Sequence, residues 1–157
     1  MINGSEMDVF RASEAELNRF LAQNLKQYAR LRNFDFGPDN RDNVSQLSKY
    51  ISHRLVNEYD VVRATLGVST YERAEKFIQE VFWRVYWKGW LEHRPTVWYD
   101  FIAFDQQDES LRQKNDKNYM AAVNGETGIA CFDSWVHELC NRNYLHNHAR
   151  MWFASIW

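Results

Sequence analysis

Two stretches of the sequence place charged side chains among aromatic rings. In FIQEVFWRVYWKGW, Glu80 and Arg84 are four residues apart, so they lie side by side on a predicted helix, with Trp83 next to them. We expect the surrounding aromatic rings to shield this pair from solvent. A shielded ion pair either stabilises the fold or contacts a ligand, and the residue types leave both interpretations open.

The second stretch lies near the end of the chain, where polar side chains are interleaved with an apolar run. His146, Asn147, His148 and Arg150 stand directly beside Met151 and the aromatic residues that follow it. Polar groups on an apolar helix cost free energy unless each finds a hydrogen-bond partner. The segment therefore lines either a satisfied polar network or a ligand.

A third candidate is a predicted helix start that offers donors to an anion. After Tyr28, Arg32 and a loop, hydroxyls at Ser45 and Ser48 open a predicted helix. Unpaired backbone N–H groups and the helix dipole at such a start favour a phosphate or carboxylate. A Ser-x-x-Ser sequence is in most proteins only a helix cap, so this pattern alone does not establish a site.

The elements that carry these residues are all predicted to be helices. One helix face is marked by apolar residues at helical spacing: Leu17, Phe20, Leu21, Leu25 and Tyr28. Ser-x-x-Glu capping boxes predict helix starts at Ser13 and Ser69, and Gly, Pro, Asn and Asp predict a loop over 33–43. Further helices are predicted over 45–54, 57–65, 70–92, 97–104 and 110–123, and from 129 and 145 onward.

The chain shows no alternating strand pattern, repeat or domain linker. We therefore predict a single all-α domain over 13–157, preceded by a disordered lead at 1–12. The last apolar run ends at Trp157 without a polar tail or a helix cap. We expect the natural domain to be truncated here and to continue beyond this residue.

Composition excludes several classes of protein. The formal net charge of −2 argues against tight, sequence-blind DNA binding. Cys131 and Cys140 fall on one predicted helix roughly 13 Å apart, beyond the reach of a disulfide, which favours a reducing compartment. Neither a signal peptide nor a long apolar run is present, so we expect a cytoplasmic protein without a membrane partner.

An ordered set of residues in the last part of the chain resembles the helical flavin domain of the photolyase/cryptochrome family. The matching positions are Gly125-Glu126-Thr127-Gly128, Asp133, Glu138-Leu139, Tyr144-Leu145-His146-Asn147, Arg150-Met151 and Ala154-Ser155. The resemblance extends over about Leu17 to Trp157 and implies an incomplete domain of the photolyase/cryptochrome FAD-binding type.

The resemblance also implies roles for individual residues. It implies that FAD is held by Tyr28, Ser45, Gln46, Leu47, Ser48, Glu80, Arg84, Asn147 and Arg150. It implies that a pyrimidine dimer in damaged DNA is positioned by Glu80, Trp83, Asn147 and Met151. The intact protein would then be a deoxyribodipyrimidine photolyase-like lyase, in which light drives electron transfer from reduced FAD to the dimer.

Some positions depart from the family pattern. Val44 stands where the family usually has Thr, Tyr144 where it often has Trp, and His148 where Arg is common. The family's antenna domain and the segment that contacts the flavin ring nitrogens are not in the sequence. His148, the missing antenna domain and the net charge of −2 favour the alternative of a non-repair, cryptochrome-like FAD photosensor. A third alternative is a helical fragment that binds nothing stably.

Metal-dependent alternatives fit the spacing poorly. The possible zinc ligands Cys131, His137, Cys140 and His146 include no close Cys-x-x-Cys pair. The string His146-Asn147-His148 resembles an HNH nuclease motif, but its two histidines point apart on a helix and no ββα frame is predicted. We therefore expect no metal site.

Overall fold

The computed structural model describes residues 4–113 and 116–157. Every regular element in these ranges is an α-helix, which confirms the all-α prediction. The helices are α1 (Gly4–Gln23), α2 (Leu25–Leu31), α3 (Ser48–Ser52), α4 (Glu58–Val68), α5 (Tyr71–Glu92), α6 (Thr96–Gln113), α7 (Lys117–Asn124), α8 (Ala130–Arg142) and α9 (Asn147–Ile156). In the described part of the chain no helix is long and apolar enough to cross a membrane.

Within this all-helical fold the chain divides into two compact units. The first unit extends to Trp90 and the second from Leu91 to Trp157. The first unit contains α1 to α4 and nearly all of α5, and the second contains α6 to α9.

The core of the first unit is built around three aromatic rings. Phe20 of α1 lies 4.7 Å from the ring of Phe77 on α5, and Tyr28 of α2 meets both rings edge-on at 5.7 and 5.2 Å. All five apolar residues of the predicted face over 17–28 are buried, as expected. The helix that carries them is interrupted at Asn24, so the face spans α1 and α2.

The start of α1 differs from the sequence prediction. Of the lead at 1–12, expected to be disordered, residues 1–3 lie outside the described residues and 4–12 belong to the helix. Ser13 lies inside this helix rather than capping it. The Ser13 hydroxyl donates to the carbonyl oxygen of Phe10 at 2.7 Å. A serine can satisfy its hydroxyl within a helix in this way, so the Ser-x-x-Glu sequence was not a helix start.

The predicted loop over 33–43 is confirmed and is held from within. The buried side-chain amide of Asn43 donates to the carbonyl oxygens of Leu31 at 2.9 Å and Phe34 at 2.7 Å. Arg41, also buried, pairs with Asp35. These bonds tie the end of the loop to its beginning, so the segment has a defined path without regular secondary structure.

In the second unit, tight turns join α7, α8 and α9. α7 ends at Gly125, whose φ of +67° is left-handed, and α8 ends at Asn143, with φ +51°. The rings of Phe132 on α8 and Phe153 on α9 are stacked 4.9 Å apart. The two helices predicted over 97–104 and 110–123 are instead α6, which continues to Gln113, and the shorter α7.

Candidate functional site

Glu80 forms an ion pair that the sequence did not predict. Its carboxylate lies 2.6 Å from the guanidinium of Arg32, which follows α2, and not against Arg84 on its own helix. Both side chains are partly shielded, with exposed fractions of 31% and 24%. The predicted pairing with Arg84 is therefore wrong, because a partner 48 residues away in sequence lies closer than the neighbour one turn along α5.

Arg84 instead reaches from α5 to α3. Its guanidinium lies 3.5 Å from the carbonyl oxygen of Ser48 and 3.4 Å from the hydroxyl of Ser52. One turn later, Lys88 bonds to Glu58 at 2.6 Å. Burial opposes ionisation of Glu58, yet the Lys88 bond and the nearby charge of Arg84 leave its pKa below the usual value. The two long bonds, to Ser48 and Ser52, thus hold the guanidinium of Arg84 beside α3.

The segment from Ser45 to Ser48 forms a turn and not the first turn of a helix. Gln46 has a left-handed φ of +53°, and the Ser45 hydroxyl accepts from the backbone N–H of Leu47 at 3.5 Å. Leu47 is fully buried, and Ser48 is the first residue of α3. The predicted helix over 45–54 is reduced to 48–52 because the turn occupies its first residues. Tyr28, the remaining predicted contact, has its ring in the core.

The aromatic residues after Glu80 were expected to shield it, but they are themselves exposed. Phe82, Trp83, Tyr86 and Trp87 are each between 50% and 55% exposed. Trp83 is in edge contact with Tyr86 at 5.4 Å and lies 6.4 Å from the nearly parallel ring of Trp87. Trp83 is therefore accessible to a planar ligand, as its predicted role requires.

In the second unit, the predicted residues lie on the exposed surface of α9. Asn147, Arg150 and Met151 are all exposed. His146, by contrast, is buried, and its Nδ1 accepts from the backbone N–H of His148 at 3.2 Å, which caps α9. Of the two interpretations of this segment, the polar network describes His146, whereas Asn147, Arg150 and Met151 are accessible.

The Gly-x-Thr-Gly sequence and Asp133 build the turn before α8. Asp133 accepts from the Thr127 hydroxyl at 2.7 Å and from the backbone N–H groups of Thr127 and Gly128, each at 3.0 Å. The Thr127 hydroxyl bond, followed by these backbone bonds and the charge of His137, lowers the pKa of Asp133, although desolvation opposes the shift. These motif residues have a local structural role in this chain.

The predicted site residues are divided between the two compact units. Tyr28, the 45–48 segment, Glu80, Trp83 and Arg84 belong to the first unit. Asn147, Arg150 and Met151 belong to the second. Within the first unit, the structure brings together the 45–48 segment and α5 through Arg84, and α2 and α5 through Arg32.

Sequence reasoning missed two features. The pairing of Arg32 with Glu80 has no local signal, because it joins segments 48 residues apart. An apolar cavity of about 410 Å³ in the second unit was also missed; it is lined by Val123, Val136, Leu139, Cys140, Phe153, Ala154 and Trp157. Its lining residues come from three helices and from Trp157 after α9, so no spacing within one helix reveals it.

A search of the described residues finds no group of three or more His, Cys, Asp or Glu side chains able to hold a metal ion. Cys131 and Cys140 are free thiols. Comparisons with protein-family models, with curated proteins and with solved structures find no match.

Proposed function

We propose that the chain is an FAD-binding protein of the photolyase/cryptochrome type, whose intact form repairs pyrimidine dimers in DNA. The proposal starts from the ordered set of residues that resembles the family. It is supported by one observation in the first unit: Arg84 joins α5 to Ser48, so two segments assigned to FAD by resemblance lie side by side although they are 36 residues apart.

The residues around Arg84 have the donor chemistry that a flavin dinucleotide needs. Its diphosphate is anionic, and the Arg84 bonds to Ser48 and Ser52, at 3.5 and 3.4 Å, are long enough to be exchanged for stronger bonds to phosphate. Hydroxyls at Ser45 and Ser48 add further donors. Gln46 and Leu47 fix the turn that presents them, and the partly shielded Arg32–Glu80 pair fixes α5 beside it.

Bound FAD would supply the light-absorbing electron donor, and the protein's contribution is to bind and orient. The resemblance assigns the pyrimidine-dimer contacts to Trp83 and Glu80 in the first unit and to Met151 in the second. It likewise assigns Asn147 to both substrate and flavin, Arg150 to a positive charge near the flavin, and Tyr28 to the residues that hold FAD. The half-exposed ring of Trp83 and the exposed Met151 are accessible for these contacts.

A non-repair FAD photosensor is the second candidate, and the charge distribution near Trp83 favours it. Arg32 and Lys88 are each paired with a carboxylate at 2.6 Å, and the whole chain carries a net charge of −2. DNA binding depends on cations that neutralise phosphates. With these two cations paired, Arg84 is the cation left near Trp83 without a carboxylate partner in the described part of the chain, and the proposal assigns it to FAD. Weak DNA affinity is therefore expected.

Absorption spectroscopy tests the proposal. The purified chain is incubated with FAD, separated from free FAD by gel filtration, and scanned over roughly 300–550 nm; a filled site retains about one flavin per chain. We expect a retained flavin band, lost in Arg84→Ala and kept in Arg63→Ala, which changes an exposed arginine on α4. A wild-type chain that elutes without flavin contradicts the proposal.

Binding to DNA separates the two candidates. Repair predicts tighter binding to a thymine-dimer oligonucleotide than to the undamaged oligonucleotide, with the preference lost in Trp83→Ala. The photosensor predicts flavin retention without any such preference.

A further inference from the structure

The α5 helix carries aromatic rings on the side that faces away from its packed side. The residues that pack into the core are Ala74, Phe77, Ile78 and Val81. Helical geometry places a second apolar group about 160° around the helix from them. This group, the α5 aromatic patch, consists of Phe82, Trp83, Tyr86, Trp87 and Trp90. A helix that is apolar on two opposite sides needs a second partner surface.

The rings form one continuous surface and not a set of isolated side chains. Trp83 contacts Tyr86 at 5.4 Å, Tyr86 contacts Trp87 at 5.4 Å, and Trp87 contacts Trp90 at 5.5 Å between ring centroids. Phe82 is 55% exposed beside them. Packing within the unit does not account for the patch, because the core lies on the other side of α5.

The same side of α5 is polar in its first half. The residues at these positions are Glu72, Glu75, Lys76 and Gln79. The change from polar to aromatic at Phe82 is abrupt, and it occurs along one face of a single helix. Aromatic enrichment at the centre with polar residues at the border is the composition of protein–protein interfaces.

The charges near the patch are turned away from it. Arg84 bonds to Ser48 and Ser52 on α3, and Lys88 bonds to Glu58 on α4. Stacking of nucleic-acid bases on aromatic rings is normally combined with cations that contact the phosphates. The patch as a whole therefore suits an apolar protein surface better than a nucleic acid.

We propose that the α5 aromatic patch is the contact through which two copies of this chain form a symmetric dimer. A two-fold contact uses the same surface on both copies, so an apolar, uncharged patch is complementary to itself. With the two α5 helices antiparallel and the axis near Tyr86, the Phe82 of one copy lies opposite the Trp90 of the other. A net charge of only −2 gives little repulsion between copies.

The area of the patch sets the strength of the dimer. A fully buried aromatic side chain covers about 150–250 Å², so four half-exposed rings offer roughly 300–500 Å² per copy. This area is as large as the largest apolar patch of a typical monomer, and about half of the roughly 800 Å² per partner of a standard stable interface. We expect a dimer that dissociates on dilution.

The inference does not rest on FAD binding. Trp83 belongs both to the patch and to the proposed substrate contact, so dimerisation and substrate stacking are alternative uses of this ring. The variants that test the dimer are therefore placed at Tyr86 and Trp87, which have no part in the proposed flavin site.

Sedimentation equilibrium of the full chain at about 1–100 μM tests the proposal. We expect monomer at the lowest concentration and dimer at the highest, in low and high salt alike, because apolar contacts are not screened. Tyr86→Glu and Trp87→Glu should each weaken the dimer at least tenfold while the helical circular dichroism is kept. Tyr59→Glu, a change at a 73% exposed ring on α4, should leave the dimer intact.

Three results overturn the proposal. The first is a wild-type chain that remains monomeric at every concentration. The second is a dimer that Trp87→Glu leaves as strong as in the wild type. The third is a monomer that binds an undamaged single-stranded oligonucleotide and loses this binding in Trp87→Glu, which would assign the patch to nucleic acid.

Discussion

A methyl group added at Gly125 tests how closely α7 and α8 approach each other. Gly125 ends α7 with a φ of +67°, a conformation that side chains other than glycine rarely adopt. A Cβ atom there would lie 3.1 Å from the carbonyl oxygen of Asp133, 3.1 Å from the Cβ of Val136 and 3.3 Å from the His137 ring. The Asp133 oxygen is helix backbone and cannot move aside without disturbing α8.

The expected loss of stability in Gly125→Ala is the sum of two costs. The left-handed conformation costs alanine about 1–2 kcal/mol, and forcing a methyl group against packed atoms costs about 1–3 kcal/mol more. Gly128→Ala is the matched control, since Gly128 has φ +81° but no atom within 4 Å of the methyl group that the substitution adds. It should lose only the conformational cost, about 1–2 kcal/mol.

Urea denaturation followed by circular dichroism at about 222 nm measures both variants, with equal m-values as the check that the same unit unfolds. Hydrogen exchange of the α8 amides localises the effect to the second unit. Equal losses in Gly125→Ala and Gly128→Ala would refute the reasoning, because only the methyl group at Gly125 meets atoms of α8.

Three further perturbations have defined outcomes. Asp133→Asn should lower the melting temperature at neutral pH. The pKa of Asp133 is lower in the folded chain than in the unfolded chain, so its ionised form stabilises the fold. This stabilisation is complete above the unfolded-state pKa of about 3.9 and is lost as the pH falls through the folded-state pKa. A double-mutant cycle of Arg32→Gln and Glu80→Gln should give a coupling of about 1 kcal/mol in urea denaturation, since the pair is only partly shielded. Gly89→Ala should stabilise α5 by about 0.5–1 kcal/mol, because nothing lies within 4 Å of the added methyl.

Each of these has its own control. The difference in melting temperature between wild type and Asp133→Asn should shrink below about pH 4; a constant difference would mean that ionisation of Asp133 is not what stabilises the turn. A cycle of Glu80→Gln with Arg84→Gln should give no coupling, and a coupling as large as that with Arg32 contradicts the observed pairing. Gly128→Ala is the control for Gly89→Ala. The same substitution should destabilise the chain at Gly128, where φ is left-handed, and stabilise it at Gly89 within a helix, so the backbone conformation decides the sign.

Local periodicity explains the part of the fold that the sequence predicted. The buried face from Leu17 to Tyr28 follows from spacing within one segment, and the loop around Gly37 follows from local backbone preferences. The start of α1 was missed because Ser13 satisfies its hydroxyl within the helix, and a capping box looks the same in sequence. The positions of helices and loops were thus predictable where local contacts determine them.

The candidate site was less predictable because its contacts join distant segments. From the sequence, Arg84 was the natural partner of Glu80; the structure selects Arg32, and only the packing of α2 against α5 decides between them. Exposure of Trp83 and its neighbours was also missed, since helical spacing groups residues on a face but does not say which face is covered. The flavin assignment depends on the resemblance and stays a prediction.

The internal bonds of the 33–43 loop limit how the chain can vary in length. Surface loops usually accept inserted residues and are common sites of proteolytic cleavage. Here one buried amide, that of Asn43, binds carbonyl oxygens at Leu31 and Phe34, so an extra residue between 34 and 43 would separate the donor from its acceptors. This loop is therefore a poor place for a peptide tag, and it should resist trypsin even though Arg41 lies within it, because that side chain is buried.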